Sequence, residues 1–543
     1  YKSFYPGTNF PAKIDFAVGD ANVLNADIIS ENGVAHEIDK VLTPTLSLER
    51  YLATKQEYSE FKKLLDRSAF YQAHYTLQTR YKALTGKDDT IFVKFYTSGV
   101  SFSPGSEHFL GGFSSSDAQA DFYTLLVPSN QALLAYKQYL LKDWGSTQLS
   151  PEMEGLLLRS HMYTTALWPG KISSTRNSLA QNATFTAANI LDKKMLSNGN
   201  FYYLDKVQEA NEFRTVFSKP FLNSNYQLQT KGLNRVIRSE ISDPEMEWGL
   251  FMQSDAQFSA AGYSFNELNN QYQYTDPVTG ATIVSDIARD RFLRVLYSTV
   301  FDNSFLHLKN LSGQGFLKGS KGEGEDAEYV YYKNNEVYAS GNIEKGTKLT
   351  INSVVETVNG PVFYTSGNLL FGEQSLGASI KRLATKYPAL YGKFYDYLSK
   401  SSIWAAGDVI TGVTAGANYT VLIPTNAAID AAIAEGRWPA SSTPSSQVDI
   451  DKVAANLQYH FLEKRIYAPD GDSEKQGIAV TAFKDLDQVD PNTSMVVKNT
   501  STTEMYFTDR FDRRANVIIA NSNEEQVANR ALIHSIDKVL LVR

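Results

Sequence analysis

One phrase is written four times along this chain: GVAHEIDKVL from Gly33, GNFYYLDKVQ from Gly199, GPVFYTSGNL from Gly360 and ALIHSIDKVL from Ala531. The equivalent positions Asp39, Asp205, Ser366 and Asp537 are separated by 166, 161 and 171 residues. Solenoid repeats recur every roughly 20 to 50 residues, whereas one independent core takes about 100 to 200. Intervals this long make each repeat a folding unit with a core of its own, and the chain an array of such units.

Composition narrows what the array can be. With 543 residues, 43% hydrophobic and 20% charged, the chain has the make-up of folded globular protein throughout. The net charge is -7 and Lys and Arg are not clustered, so the footprint that neutralises phosphates is missing and nucleic acid is excluded as a partner class. The lack of cysteine excludes a disulfide framework, thiolate metal sites and thiol nucleophiles. No apolar run is long enough to span a bilayer, and Tyr1-Lys2-Ser3 does not read as a charged-then-apolar leader.

Each closing phrase follows a turn signal. Asn32-Gly33, Asn198-Gly199 and Asn359-Gly360 are the dipeptide favoured where a tight hairpin needs positive φ at both central residues. A strand is expected after each, with Val34, His36 and Ile38 on one face and Ala35, Glu37 and Asp39 on the other. A second phrase recurs as FYTLLVPSNQALLAY from Phe122, EWGLFMQSDAQFSAA from Glu247 and NYTVLIPTNAAIDAA from Asn418. It predicts an apolar strand, stopped by Pro128 or Pro424, and then a helix with Asn130, Asp255 or Asn426 as N-cap. A third phrase runs through a helical apolar pattern into Ser160-His161, Tyr297-Ser298 or Tyr459-His460. Two openings also match, from Ser47 and Ser375. In the first, Leu48, Tyr51, Leu52, Phe61, Leu64 and Leu65 fall at helical spacing on one face, with the serine as cap.

On these residues the chain resembles the fasciclin domain family, whose units carry a Thr/Ser-Asn box, a Tyr-His pair after it and an ending close to NGVIHVIDKVLLP. NGVAHEIDKVLTP and ALIHSIDKVLLVR are nearly that ending. The resemblance implies an α+β fold of tandem domains, each a β-sandwich-like wedge with packed helices. Residues 1–45 are the C-terminal part of a truncated unit, 46–210 a full unit, 211–371 a divergent unit and 372–543 a full unit. In the divergent unit Ser366 replaces Asp, Pro361 interrupts the closing strand and Tyr297-Ser298 replaces Tyr-His. The first fragment holds only final strands, so the missing half of its sheet is expected upstream of Tyr1, together with an export signal or lipid-modified Cys.

The candidate site residues divide into structural and binding groups. His36 and Asp39, or His534 and Asp537, lie three apart on a strand and point to opposite faces, so they do not form a catalytic pair. The corresponding slots hold Tyr202 or Tyr203 and Phe363 or Tyr364, as a packing position allows. Asp205 belongs to the same structural set. Tyr459, His460 and His161 are candidates for binding, since the resemblance implicates the Tyr-His region in adhesion, the alternative being a buried pair tying helix to sheet. Trp168, Trp404 and Trp438 sit beside turns and could stack on a sugar, anchor a protein partner or plug a domain end.

Asp470, Asp472 and Glu474 supply hard oxygens, but EF-hand spacing is absent and a solvated acidic turn is expected. GQGFLKGSKGEGEDAE from Gly313 lacks phosphate-loop spacing and reads as a mobile loop or hairpin tip. No metal, cofactor or catalytic residue is expected: HExxH and GxSxG are absent, and Asp88-Asp89 reads as a polar loop. The function expected is a non-enzymatic cell-surface or secreted protein that adheres to or binds a protein or glycan. The Tyr- and Asn-rich, Cys-free style resembles surface proteins of the Bacteroidetes. It suggests a variant in which a lipoprotein, held to the membrane only by an anchor upstream of Tyr1, accompanies an outer-membrane (TonB-dependent) nutrient-uptake complex. A polysaccharide-acting hydrolase is the competing class.

Overall fold

The computed structural model describes every residue except 1–2, 5–16, 19–20, 106–121, 321–326, 473–474 and 543. The chain divides into two compact units, residues 1–213 and 214–543. Both mix helices and sheets in the α+β manner.

In residues 1–213 the apolar run before Pro128 forms the strand Tyr123–Pro128, buried from its second residue onward. It lies parallel to the closing strand Gly199–Leu204 and is flanked by Met162–Tyr163, while Ile190–Leu196 completes the other side of a four-stranded sheet. A parallel pair needs a long crossover, and the helices Asn130–Leu141 and Pro151–Ser160 supply it. Upstream, Ser47 caps the helix Leu48–Leu52 by accepting the Arg50 N–H at 3.3 Å. The spacing noted above becomes two short helices, Leu48–Leu52 and Ser59–Asp66, whose Leu48, Leu52, Phe61, Leu64 and Leu65 are buried. Residues 21–38 form a separate hairpin on which Leu24, Ile28, Ile29 and Val34 are exposed.

The same strand order occurs twice more in residues 214–543. Val300–Asp302, Trp248–Met252, Gly360–Thr365 and Leu349–Thr357 are consecutive in a seven-stranded sheet. Phe461–Glu463, Tyr419–Pro424, Ala531–Ile536 and Val527–Ala528 are consecutive in an eight-stranded one. In each the central and closing strands are parallel. Pro361 does not interrupt its strand: it sits at the second position opposite Glu356, near the strand start where a missing N–H is tolerated.

The Asn-Gly pairs work differently from the turn expected of them. The two-residue hairpin loops are Glu31-Asn32, Ser197-Asn198 and Val358-Asn359, and none of these has a left-handed φ. In the second and third pairs the glycine is needed by the parallel neighbour instead, whereas a Cβ on Gly33 would meet nothing within 4 Å. A Cβ on Gly199 would stand 2.5 Å from the Tyr123 carbonyl oxygen, and one on Gly360 2.0 Å from that of Trp248. Asn198 is a buried clamp that accepts the Leu48 N–H and donates to the carbonyls of Pro104 and Gly105. Asn359 repeats it with the Val216 N–H and the carbonyls of Ile241 and Asp243.

Core packing crosses one of the proposed borders and gives the Gly-rich segment a paired strand. Residues 251–369 have one apolar cluster, around Phe251, Phe301 and Phe363, and residues 380–542 have their own. Another cluster joins Phe316, Tyr329, Tyr331 and Ile343 to Ile466, Ala468, Val527 and Leu532, so burial crosses the 371/372 border rather than stopping there. The Gly-rich segment opens as the strand Gln314–Lys318, paired with Tyr329–Lys333, because Phe316 and Leu317 are buried; residues 321–326 of that segment lie outside the described residues.

Candidate functional site

The residues expected to cap the middle helices cap something else. The N-caps are the preceding Ser129, Ser254 and Thr425, which accept the N–H groups of Ala132, Gln257 and Ala428. That frees the next side chain to reach an upstream helix. Asn130 Oδ1 accepts the Glu60 N–H at 3.0 Å while its Nδ2 donates to the Gln56 carbonyl at 3.0 Å. Asn426 does the same between the Lys393 N–H and the Ala389 carbonyl, both at 2.9 Å. Each amide bridges a donor and an acceptor four residues apart, which takes one group that both donates and accepts. Asp255 is acceptor-only when ionised, and it receives the N–H groups of Gln227 and Leu228 at a helix start.

His161 and His460 are fully buried, each at the C-terminal end of a helix. His161 Nδ1 faces the Leu157 carbonyl at 2.7 Å and its Nε2 accepts the Gln208 N–H at 3.1 Å. His460 Nδ1 faces the Asn456 carbonyl at 2.6 Å and its Nε2 accepts the Leu540 N–H at 3.3 Å. An Nε2 that accepts fixes the neutral Nδ1–H tautomer, and burial pushes both rings down to about 4. Tyr459 is buried too, donating to the Ser494 carbonyl at 2.8 Å. All three side chains are buried: the two imidazoles join a helix end to the segment after the closing strand, and the Tyr459 hydroxyl joins its helix to the strand Asn492–Ser501. Strand register moves the third-copy slot from Ser298 to Thr299. Thr299 lies beside Phe251 as His161 lies beside Leu126 and His460 beside Leu422.

The closing-strand slot is settled by the same register. His534, Tyr202 and Phe363 face Leu422, Leu126 and Phe251. His534 Nε2 stands 2.7 Å from the Tyr467 carbonyl, and the Tyr202 hydroxyl donates to the Leu167 carbonyl at 2.7 Å. Burial holds the His534 ring down at about 4. His36 is exposed instead, its Nδ1 accepting the Asp27 N–H. The residues Asp39, Asp205, Ser366 and Asp537 tie the end of the closing strand to Asn22, Asn189, Thr350 and Asn516. Ser366 keeps the tie by accepting the Thr350 N–H at 2.9 Å.

The tryptophans separate. Trp438 is 2% exposed, edge-on to Tyr397, and belongs to the core. Trp404 is half-buried against Tyr395, and Trp168, 40% exposed, meets Phe4 edge-on. Two of the three acidic side chains of the turn, Asp470 and Asp472, are not solvated. Asp470 is buried and accepts from the Tyr329 hydroxyl and the Asn499 amide at 2.7 Å, and the buried Asp472 pairs with Lys318 at 2.7 Å. Glu474 lies outside the described residues. Asp88 pairs with Lys82 and Asp89 accepts from the Tyr81 hydroxyl, both on the surface. Among the described residues no group of three His, Cys, Asp or Glu is placed to hold a metal ion.

One cavity uses none of the expected binding residues. It has a volume of about 380 Å³ and is lined by Tyr263, Tyr274, Arg291, Lys345, Phe371 and Glu373, among others. One wall is the three-stranded sheet Tyr263–Asn266, Gln271–Thr275 and Thr282–Val284, and the other includes the end of the helix Ser340–Glu344. Arg291, on the helix Asp286–Thr299, lies 4.4 Å from the Tyr274 ring centroid and 4.9 Å from that of Phe371, with Glu373 at 2.7 Å. A signal for this wall was present in the spacing. The capped helix and the next one start at Asn130 and Pro151, and at Asn426 and Gln447, but at Asp255 and Asp286, which leaves a longer stretch to form the extra sheet.

Residues 391–542 match the model of the fasciclin domain. No curated protein matches. Among solved structures, a FAS1 domain pair from the insect cell adhesion molecule fasciclin I aligns with 13% identity, covering 58% of this chain and 96% of its own, at a TM-score of 0.28. No helix among the described residues is long and apolar enough to cross a membrane. This chain therefore contains a fasciclin domain, at residues 391–542.

Proposed function

We propose that the chain is a non-enzymatic binding protein that works at a cell surface or after secretion, where it adheres to a protein or glycan partner. The observation that carries this reading is the fasciclin domain at residues 391–542. The state of the buried histidines supports it. His161, His460 and His534 are the side chains best suited by type to proton transfer, and backbone groups hold them neutral inside the fold. We read residues 46–210, 211–371 and 372–543 as copies of one unit, and 1–45 as the closing part of another; the recurring strand order and closing-strand tie favour that division.

The test is a screen of the purified chain against immobilised glycans and cell-surface proteins, read for both retention and product release. Retention without turnover is the expected result. Product release abolished by a single carboxylate substitution would put a hydrolase in its place, and stable co-purification with an outer-membrane transporter would narrow the partner to an uptake complex.

A further inference from the structure

We infer that the cavity between the extra three-stranded sheet and the helix Ser340–Glu344 is a binding site for an acidic saccharide, with Arg291 receiving its carboxylate. The inference rests on the binding reading above and gives it a place and a ligand class. The volume of about 380 Å³ lies within the range of small-ligand sites.

Two arginines one turn apart on the same helix show which group is available. Arg294 stacks on Phe371, and its guanidinium is occupied by both Glu328 oxygens and by Asn529 Oδ1. Arg291 stacks on the same ring but meets a single carboxylate, that of Glu373, whose side chain is 61% exposed. A guanidinium fork matches a planar carboxylate with two parallel bonds, and an exposed side-chain carboxylate is readily exchanged for a ligand's.

The rest of the lining favours a sugar ring as the bearer of that carboxylate. Tyr263 and Tyr274, with ring centroids 5.1 Å apart, and Phe371 offer aromatic surface to the C–H faces of a pyranose. Lys345, exposed at the rim, can meet its hydroxyls. Other charges on the wall are already used. Both oxygens of Glu344 accept backbone N–H groups, of Glu373 and Gln374, and Lys348 pairs with Glu336. What remains for a ligand is cationic, set among aromatic rings.

The experiment is calorimetric titration of the full chain with trigalacturonate and sialyllactose, with maltotriose and lactose as neutral counterparts and a short glutamate peptide as the non-sugar acid. At least one acidic saccharide should bind, and its neutral counterpart roughly tenfold more weakly or not at all, the scale of one charge-assisted bond. Arg291→Gln should weaken that binding by roughly tenfold, and Glu373→Gln, a surface change that leaves the fold intact, should strengthen it by removing the internal competitor. Failure of every acidic saccharide to bind, binding indifferent to Glu373→Gln, or tighter binding of the peptide would overturn the inference. Retention of some other glycan or protein, unaffected by both substitutions, overturns this site while leaving the binding reading in place, whereas release of shortened saccharide overturns that reading itself.

Discussion

At the residue scale, the chain uses short polar side chains as two-ended connectors. Asn426 fills a gap in the ladder of the helix Pro388–Lys400, taking the Lys393 N–H and giving protons to the Pro388 and Ala389 carbonyls. Asn426→Ala should lower stability by about 1–3 kcal/mol, since it leaves a partly buried donor unmatched; a shift of the urea midpoint at constant slope would show it. Asn426→Asp should cost a similar amount, because a carboxylate cannot donate to the two carbonyls. Gly199→Ala tests the parallel contact in the same way. Its Cβ meets backbone rather than a flexible side chain, so a loss of about 1–3 kcal/mol is expected from overpacking, and a neutral result would mean that the two strands can separate freely.

At the scale of elements, a helix end and a closing segment are joined through one imidazole. His161 links the helix Pro151–Ser160 to Gln208, and His460 links Gln447–Tyr459 to Leu540. His161→Ala should cost about 1–3 kcal/mol at neutral pH, because the buried Gln208 N–H loses its acceptor while the Leu157 carbonyl keeps the Ser160 hydroxyl. The tie also sets a pH dependence. The folded ring has its pKa lowered to about 4 from 6.5, so the unfolded chain binds more protons between those values. Stability is then fully present above about 6.5 and falls as pH drops toward about 4, by on the order of 3 kcal/mol for a fully buried ring. Unfolding of residues 1–213 followed at pH 7 and pH 4.5 should show this loss, and His161→Ala should flatten it.

At the scale of the whole molecule, residues 214–543 are bound together by polar pairs that face each other across the 371/372 border. Lys318 meets Asp472, and the Tyr329 hydroxyl meets Asp470, at the edge of the shared apolar cluster. Lys318→Ala should destabilise by about 3 kcal/mol, because the Asp472 carboxylate stays buried after its ammonium partner is gone. The double change Lys318→Met with Asp472→Asn should cost less than Lys318→Ala alone. A single-variant cost under about 1 kcal/mol, the value of an exposed pair, would count against this account.

Much of the local order was legible in the sequence. Apolar runs ending at Pro128 and Pro424, serine caps at Ser47 and Ser375, and the fourfold closing phrase all act over a few residues, where pattern and physics coincide. Tertiary structure alone decided where each polar group spends its hydrogen bonds. It turned Asn130 and Asn426 from caps into bridges, buried Tyr459, His460 and Trp438, and drew Asp470 and Asp472 inward to Tyr329 and Lys318. It also set Arg291 between Tyr274 and Phe371, residues 17 and 80 positions away along the chain. A side chain's type states which bonds it can make, but burial and the partner's identity depend on segments that only the folded backbone brings together.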